Sequence, residues 1–165
     1  MSYHECVPDH VFDDPRITAM GLLAEAFLGL SARLSAQVEE HGLSNVEFEV
    51  LLRLARSPEN RLRMTDLAAQ TQLTTSGMTR VIDRLERDGL VERTACSTDR
   101  RSSYAVVTRT GLARLDQVMP GHLEMIERWF TGQLTCDQLN HVLAGLRTVR
   151  DAVRPGAASG AAADR

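Results

Sequence analysis

The chain has 165 residues, 43% of them apolar and 25% charged, with a formal net charge of −3. That length suits one domain of the usual ~100–200 residues; aromatics at 4% leave aliphatic side chains to fill its core. No apolar run approaches the ~18–20 residues of a membrane span, and the start lacks a basic segment followed by an apolar one, so a soluble, cytoplasmic protein is expected. Three scattered cysteines, Cys6, Cys96 and Cys136, exclude a disulfide framework.

The charge is unevenly spread. Residues 1–59 carry 4 Arg against 10 Asp and Glu, residues 60–109 carry 9 Arg against 6, and residues 110–165 carry 6 of each. The middle third is thus a basic island in an acidic chain. All 19 basic residues are arginine, whose planar fork suits phosphate and guanine.

Residues 1–14 read as a flexible N-terminal arm. Asp14-Pro15 then has the form of an N-cap followed by proline at the first helical position. Ile17, Met20, Ala24, Phe27, Ser31, Leu34 and Val38 recur at helical spacing up to a stop at Gly42. Leu22, Leu23, Leu28 and Leu30 widen the apolar surface beyond one packing face, so this helix needs cover on two sides. A partner subunit is one cover; a second layer of its own domain is the other.

Ser44 and Glu47 form a capping box that opens a second helix through Val50, Leu51 and Leu54, stopped by Pro58. A short third helix, 64–71, carries Leu67 and Ala68. After a turn at Gln72-Leu73, Thr74 caps a fourth helix ending at Gly89. Residues 90–96 and 104–108 read as two strands joined by a polar loop, a hairpin. Helix returns over 109–130, with Pro120-Gly121 predicting a kink or split. Thr135 and Gln138 cap a last helix whose stripe is Leu139, Val142, Leu143, Leu146, Val149 and Val153. The Ala/Gly-rich tail, 154–165, reads as disordered.

The fold class is therefore mainly α with a small β-wing: helix, turn, helix and hairpin over 44–108 make a winged helix-turn-helix. Its fourth helix anchors one face through Met78, Val81, Ile82 and Leu85 and presents Thr75, Ser76, Thr79, Arg80, Asp83, Arg84 and Arg87 on the other. The first turn, Thr74-Thr75-Ser76-Gly77, is small and hydroxylated, as a helix entering the ~12 Å major groove requires. Arg80 lies one turn in, at reach of a base edge; Arg84 and Arg87 suit the sugar-phosphate backbone. The competing view is an amphipathic helix with a solvated face. The hairpin tip Asp99-Arg100-Arg101 favours DNA, because an arginine there can enter the narrow minor groove. Asp99 would hold the loop and orient Arg101.

The run Met64-Thr65-Asp66-Leu67-Ala68, the segment from Leu73 to Val91, the tip Asp99-Arg100-Arg101 and then Thr108-Arg109-Thr110-Gly111 together resemble the MarR family of transcriptional regulators. The resemblance covers about residues 15–153. It implies a homodimer whose dimerisation region is 15–43 and 109–153, and two winged lobes reading a pseudo-palindrome. Carried over by position, Thr75, Ser76, Thr79 and Arg80 face the major groove, Asp99 and Arg101 are the wing pair with Arg101 in the minor groove, and Thr65 lies near phosphate. Three features depart from the family pattern: Arg63 at the cap of the third helix, the longer arm, and Pro120.

The resemblance also implies a repressor released by a small aromatic or phenolic anion. Phe48, Glu49 and Arg63 are similar to a crevice set in one branch, with Arg63 pairing a carboxylate and Phe48 packing on a ring; the other view makes Phe48 core and the two charges surface. Cys6 with His4 and His10 matches no closed zinc site, and neither metal nor cofactor is expected. Cys96, near Arg93 and Arg100, leaves a thiol-sensing regulator as an alternative. No phosphate loop, paired metal ligands or nucleophile with a base supports an enzyme. The more serious rival is a winged helix used for protein contact, which salt dependence would separate from DNA binding.

Overall fold

The computed structural model describes residues 11–95 and 103–154. Six helices and a three-stranded sheet follow in the order α1 (Pro15–Glu39), α2 (Asn45–Ala55), β1 (Arg61–Arg63), α3 (Met64–Thr71), α4 (Thr75–Arg87), β2 (Val91–Ala95), β3 (Ser103–Val107), α5 (Arg109–Trp129) and α6 (Cys136–Val153). Residues 11–13 of the expected arm form a single 3-10 turn. The rest of the arm, the tail from residue 155, and the loop 96–102 lie outside the described residues.

Local chemistry sets most boundaries. Asp14 caps α1 by accepting the Arg16 N–H at 2.8 Å, with Pro15 at the first helical position. Ser44 and Glu47 exchange their bonds at the start of α2, and Thr135 and Gln138 repeat the box on α6. Gln72 takes the left-handed conformation that ends α3 and turns the chain into α4.

Two expectations about the elements need correction. Arg61–Arg63 is a strand, pairing antiparallel with β3 through Leu62↔Ala105, so the wing sheet has the order β1-β3-β2 and not two strands. Three residues are too few to announce themselves by alternation; the pairing partner decides. Pro120 does not split α5, which runs unbroken through it. Proline removes one backbone bond, but α5 is held against α1 on both sides of it. The buried Gln37 side chain donates Nε2–H to the Val118 carbonyl at 3.1 Å and lies against Gly121.

The core is one cluster centred on the lobe. Leu51 and Leu54 of α2, Leu67 of α3, Met78, Ile82 and Leu85 of α4, and Val91 of β2 are all essentially sealed, and Leu115 and Val118 of α5 close it. Outside the lobe the picture reverses. In α1 only Gln37 and Val38 are buried, while Met20, Leu22, Phe27 and Leu28 are each more than 60% exposed; α6 buries none of its residues. Averaged over 18 residues, α1 is long and apolar enough to cross a membrane by length and composition. The expectation that no such stretch exists is thereby corrected, since Glu25 and Arg33 break the run without making its mean polar.

Candidate nucleic-acid interface

Helix α4 sits with Met78, Val81, Ile82 and Leu85 buried, and Thr75, Ser76, Thr79, Arg80, Asp83, Arg84 and Arg87 exposed. The sorting matches the sequence expectation residue by residue. At its tip the Thr74 hydroxyl is used structurally: Oγ1 accepts the Gly77 N–H at 3.1 Å and contacts the Ser76 hydroxyl at 3.1 Å. A Cβ on Gly77 would stand 3.2 Å from that hydroxyl, so glycine keeps the cap uncrowded. The Thr79 hydroxyl donates back to the Thr75 carbonyl at 2.9 Å. Thr65 is exposed at the start of α3, where the cap residue Arg63 makes no side-chain cap bond.

The three arginines of α4 are not equivalent. Arg84 Nε donates to Glu47 at 2.7 Å, tying α4 to the capping box of α2. Burial alone would raise the Glu47 carboxyl, but bonds from the Ser44 N–H, from Arg84 and from the Ser44 hydroxyl, with the Arg84 charge, hold it below its ordinary value. Arg80 and Arg87 make no hydrogen bond or ion pair among the described residues and stand exposed.

A residue that sequence reasoning missed organises this face. Arg93 of β2 reaches across to α4, where Nη2 meets Asp83 at 2.5 Å and the Thr79 carbonyl at 3.3 Å, and Nη1 pairs with Glu86. Its backbone N–H also donates to Glu86 at 3.3 Å. One guanidinium therefore neutralises the two carboxylates that would repel a polyanion and locks the wing to the helix. Positions 79, 83 and 86 share one helix face, but nothing in a single sequence says which strand arginine answers them.

The wing tip Asp99, Arg100 and Arg101, together with Cys96, lies outside the described residues, as do His4, Cys6 and His10. The strands that carry the tip are in place, with Ala95 paired to Ser103. Beyond the wing, Thr108 and Gly111 weld α5 to the exit of α4. The Thr108 hydroxyl donates to the Gly89 carbonyl at 2.7 Å and accepts the Gly111 N–H at 3.0 Å, while the Thr108 N–H donates to the Leu90 carbonyl at 3.0 Å.

The three crevice residues expected from the sequence do not come together. Phe48 and Glu49 line a cavity of about 430 Å³ between α1, α2 and α5, with Phe27, Leu34 and His122. Arg63 is not among its lining residues: its Nε donates to the Tyr104 hydroxyl at 3.3 Å, and its guanidinium lies 5.8 Å from that ring, beside Arg61 at 4.8 Å. Strand β1, absent from the expected fold, places Arg63 on the wing sheet. Glu49 pairs with Arg53 at 2.7 Å instead.

Comparison with known proteins agrees with this geometry. Residues 41–102 match the model of the MarR family. The chain is 35% identical to the HTH-type transcriptional repressor YetL of Bacillus subtilis over 62% of its own length and 65% of that protein's, just under two thirds. It is 33% identical to YkoM, an HTH-type transcriptional regulator of the same organism, over 76% and 80% respectively. Among solved structures, Sco3205 of Streptomyces coelicolor, a MarR family regulator in complex with DNA, superposes with a TM-score of 0.79 at 28% identity, covering 94% of this chain and 97% of that one.

Proposed function

The chain belongs to the MarR family of transcriptional regulators, and from that premise we propose a homodimeric, cytoplasmic repressor that reads a pseudo-palindromic operator and releases it when a small aromatic effector binds. It is a regulator and not an enzyme. The observation that carries DNA recognition is the α4 face, where small residues stand at the tip, Arg80 and Arg87 are exposed, and both neighbouring carboxylates are neutralised by Arg93. Thr75, Ser76 and Thr79 supply hydroxyls on the same helix, Thr65 is exposed at the start of α3, and the sequence adds Arg100 and Arg101 as cations for the wing.

Binding to the DNA upstream of the protein's own gene, followed by fluorescence anisotropy, is the test. Affinity is expected to fall by about 10³-fold or more between roughly 50 and 200 mM salt if several arginines release counterions; a flat salt profile would favour the protein-contact reading. Arg80→Ala is expected to cost about 1–3 kcal/mol and to relax preference at one position per half-site. Uniform losses on all sequences would assign Arg80 to phosphate instead.

Dimerisation rests on the uncovered apolar faces of α1 and α6, which a second copy would bury. Met20→Asp is expected to convert the dimer seen in sedimentation to monomer while far-UV circular dichroism stays unchanged. A variant that stays dimeric would remove α1 from the interface. The effector would enter the crevice walled by Phe27 and Phe48, between the dimerisation helices and the lobe.

A further inference from the structure

We propose that Arg154, at the end of α6, is a positioning residue for DNA recognition. By holding the Gln70 carbonyl it fixes each winged lobe against the dimerisation helices, and so sets the spacing at which two recognition helices meet a duplex. The proposal rests on the DNA-binding dimer read above and adds the contact that keeps its two lobes in register.

Arg154 Nη2 donates to the Gln70 carbonyl at 3.0 Å, across 84 residues of chain. Gln70 lies in the last turn of α3, which ends at Thr71. A carbonyl so near a helix end has no intrahelical N–H to accept from, and it stands at the negative end of the helix dipole. Gln70 is only 2% exposed, which leaves little room for water to serve instead. A guanidinium answers both demands with one bond. The same residue is held from a second side, where Gln70 Oε1 accepts from Nη1 of Arg53 at 3.4 Å and Glu49 pairs with that arginine at 2.7 Å. Helices α2, α3 and α6 thus meet at one buried glutamine.

The value of this contact depends on the other ties between lobe and dimerisation helices. Thr108 and Gly111 join α5 to the exit of α4, Leu115 and Val118 close the lobe core, and Arg114 donates to the His41 carbonyl at 3.0 Å. Val38 enters the core from the end of α1. These ties gather at the end of α1 and the first half of α5, and they leave the lobe free to turn about that attachment. Arg154 comes from a different helix, one that buries none of its own residues, and supplies a separate point of attachment. Gln70 also stands five residues ahead of Thr75, where α4 begins, so the tie bears on the end of α4 that enters the groove.

The test uses the full-length protein and the duplex it selects from random-sequence DNA. Parent, Arg154→Ala and Arg154→Lys are titrated by fluorescence anisotropy against that duplex, the same duplex with one base pair inserted at its centre, and a duplex keeping one half-site. The insertion parts the half-sites by ~3.4 Å and turns them by roughly 35°. Arg154→Ala is expected to bind the selected duplex about tenfold more weakly, because the lost bond has a charged donor and only dimers with both lobes in register bind. It should show less of the parent's penalty for the insertion and hold the single half-site as the parent does. Arg154→Lys should restore most of the spacing preference, since an ammonium can donate to one carbonyl. Equal losses on all three duplexes, an unchanged penalty for the insertion, or an Arg154→Ala protein that sediments as a monomer overturns the proposal and leaves DNA recognition standing. If the parent selects no common sequence, the DNA reading falls and the proposal falls with it.

Discussion

Replacing Gly111 with alanine is expected to destabilise the protein by about 3 kcal/mol, at the upper end of what an overpacked site costs, and to lower the melting temperature by roughly 6–12 °C at this chain length. A Cβ built there would stand 2.2 Å from the Leu90 carbonyl oxygen and 2.6 Å from Val107 Cγ2. The first of these is backbone and cannot swing aside. The backbone of Gly111 is ordinary helix, so its requirement for glycine is one of space and not of dihedral angle. Thr108 explains why that space is so tight: its hydroxyl and N–H draw Gly89 and Leu90 onto the first turn of α5. Thr108→Ala should cost about 1 kcal/mol as a lost helix cap. Calorimetry on both variants checks the pair, and a Gly111→Ala protein melting with the parent would mean that the α4–α5 junction is looser than described. The same junction couples reading helix to dimerisation helix, so Gly111→Ala should weaken operator binding even where the fold survives.

What could be read in advance follows the range of the forces involved. Caps are settled within four residues, which is why Asp14, Ser44, Thr74 and Thr135 sit where the sequence places them. The two faces of α4 are legible for the same reason, since burial at 78, 81, 82 and 85 repeats with the helical period. Errors arise where a distant segment decides. Strand β1 exists because β3 offers it an edge, and Arg63 follows that strand out of the crevice into contact with Tyr104. Pro120 stays inside α5, which packs on α1 through contacts that no local pattern announces, such as Gln37 with Val118, 81 residues apart in the chain. Arg84 reads as a phosphate ligand by helical position, yet Glu47 of α2 claims it. Arg93 is the plainest case, because its three contacts on α4 are 7 to 14 residues away along the chain and at no fixed spacing from a strand.

The second large effect concerns the wing. Arg101→Ala is expected to lower operator affinity by about 10²- to 10⁴-fold with the dimer intact. One arginine contact of this kind is worth about 1–3 kcal/mol, and a homodimer on a pseudo-palindrome loses it twice. The position of the residue carries the argument. Arg101 stands two residues before Ser103, which opens β3, and β2 is pinned to α4 by Arg93. The tip is thus carried by strands fixed relative to the reading helix, and a minor-groove arginine can act only if its base is fixed in that way. Asp99 would restrain the loop, so Asp99→Ala should weaken binding less than Arg101→Ala and leave the salt slope nearly unchanged, whereas Arg101→Ala reduces the slope by removing a cation from each half-site. Arg101→Lys separates charge from shape: near-parental binding would mean that a point charge suffices, and a loss close to that of alanine would mean that the planar guanidinium is read in the groove. Parental affinity for Arg101→Ala would take the wing out of the interface and leave recognition to α4 alone.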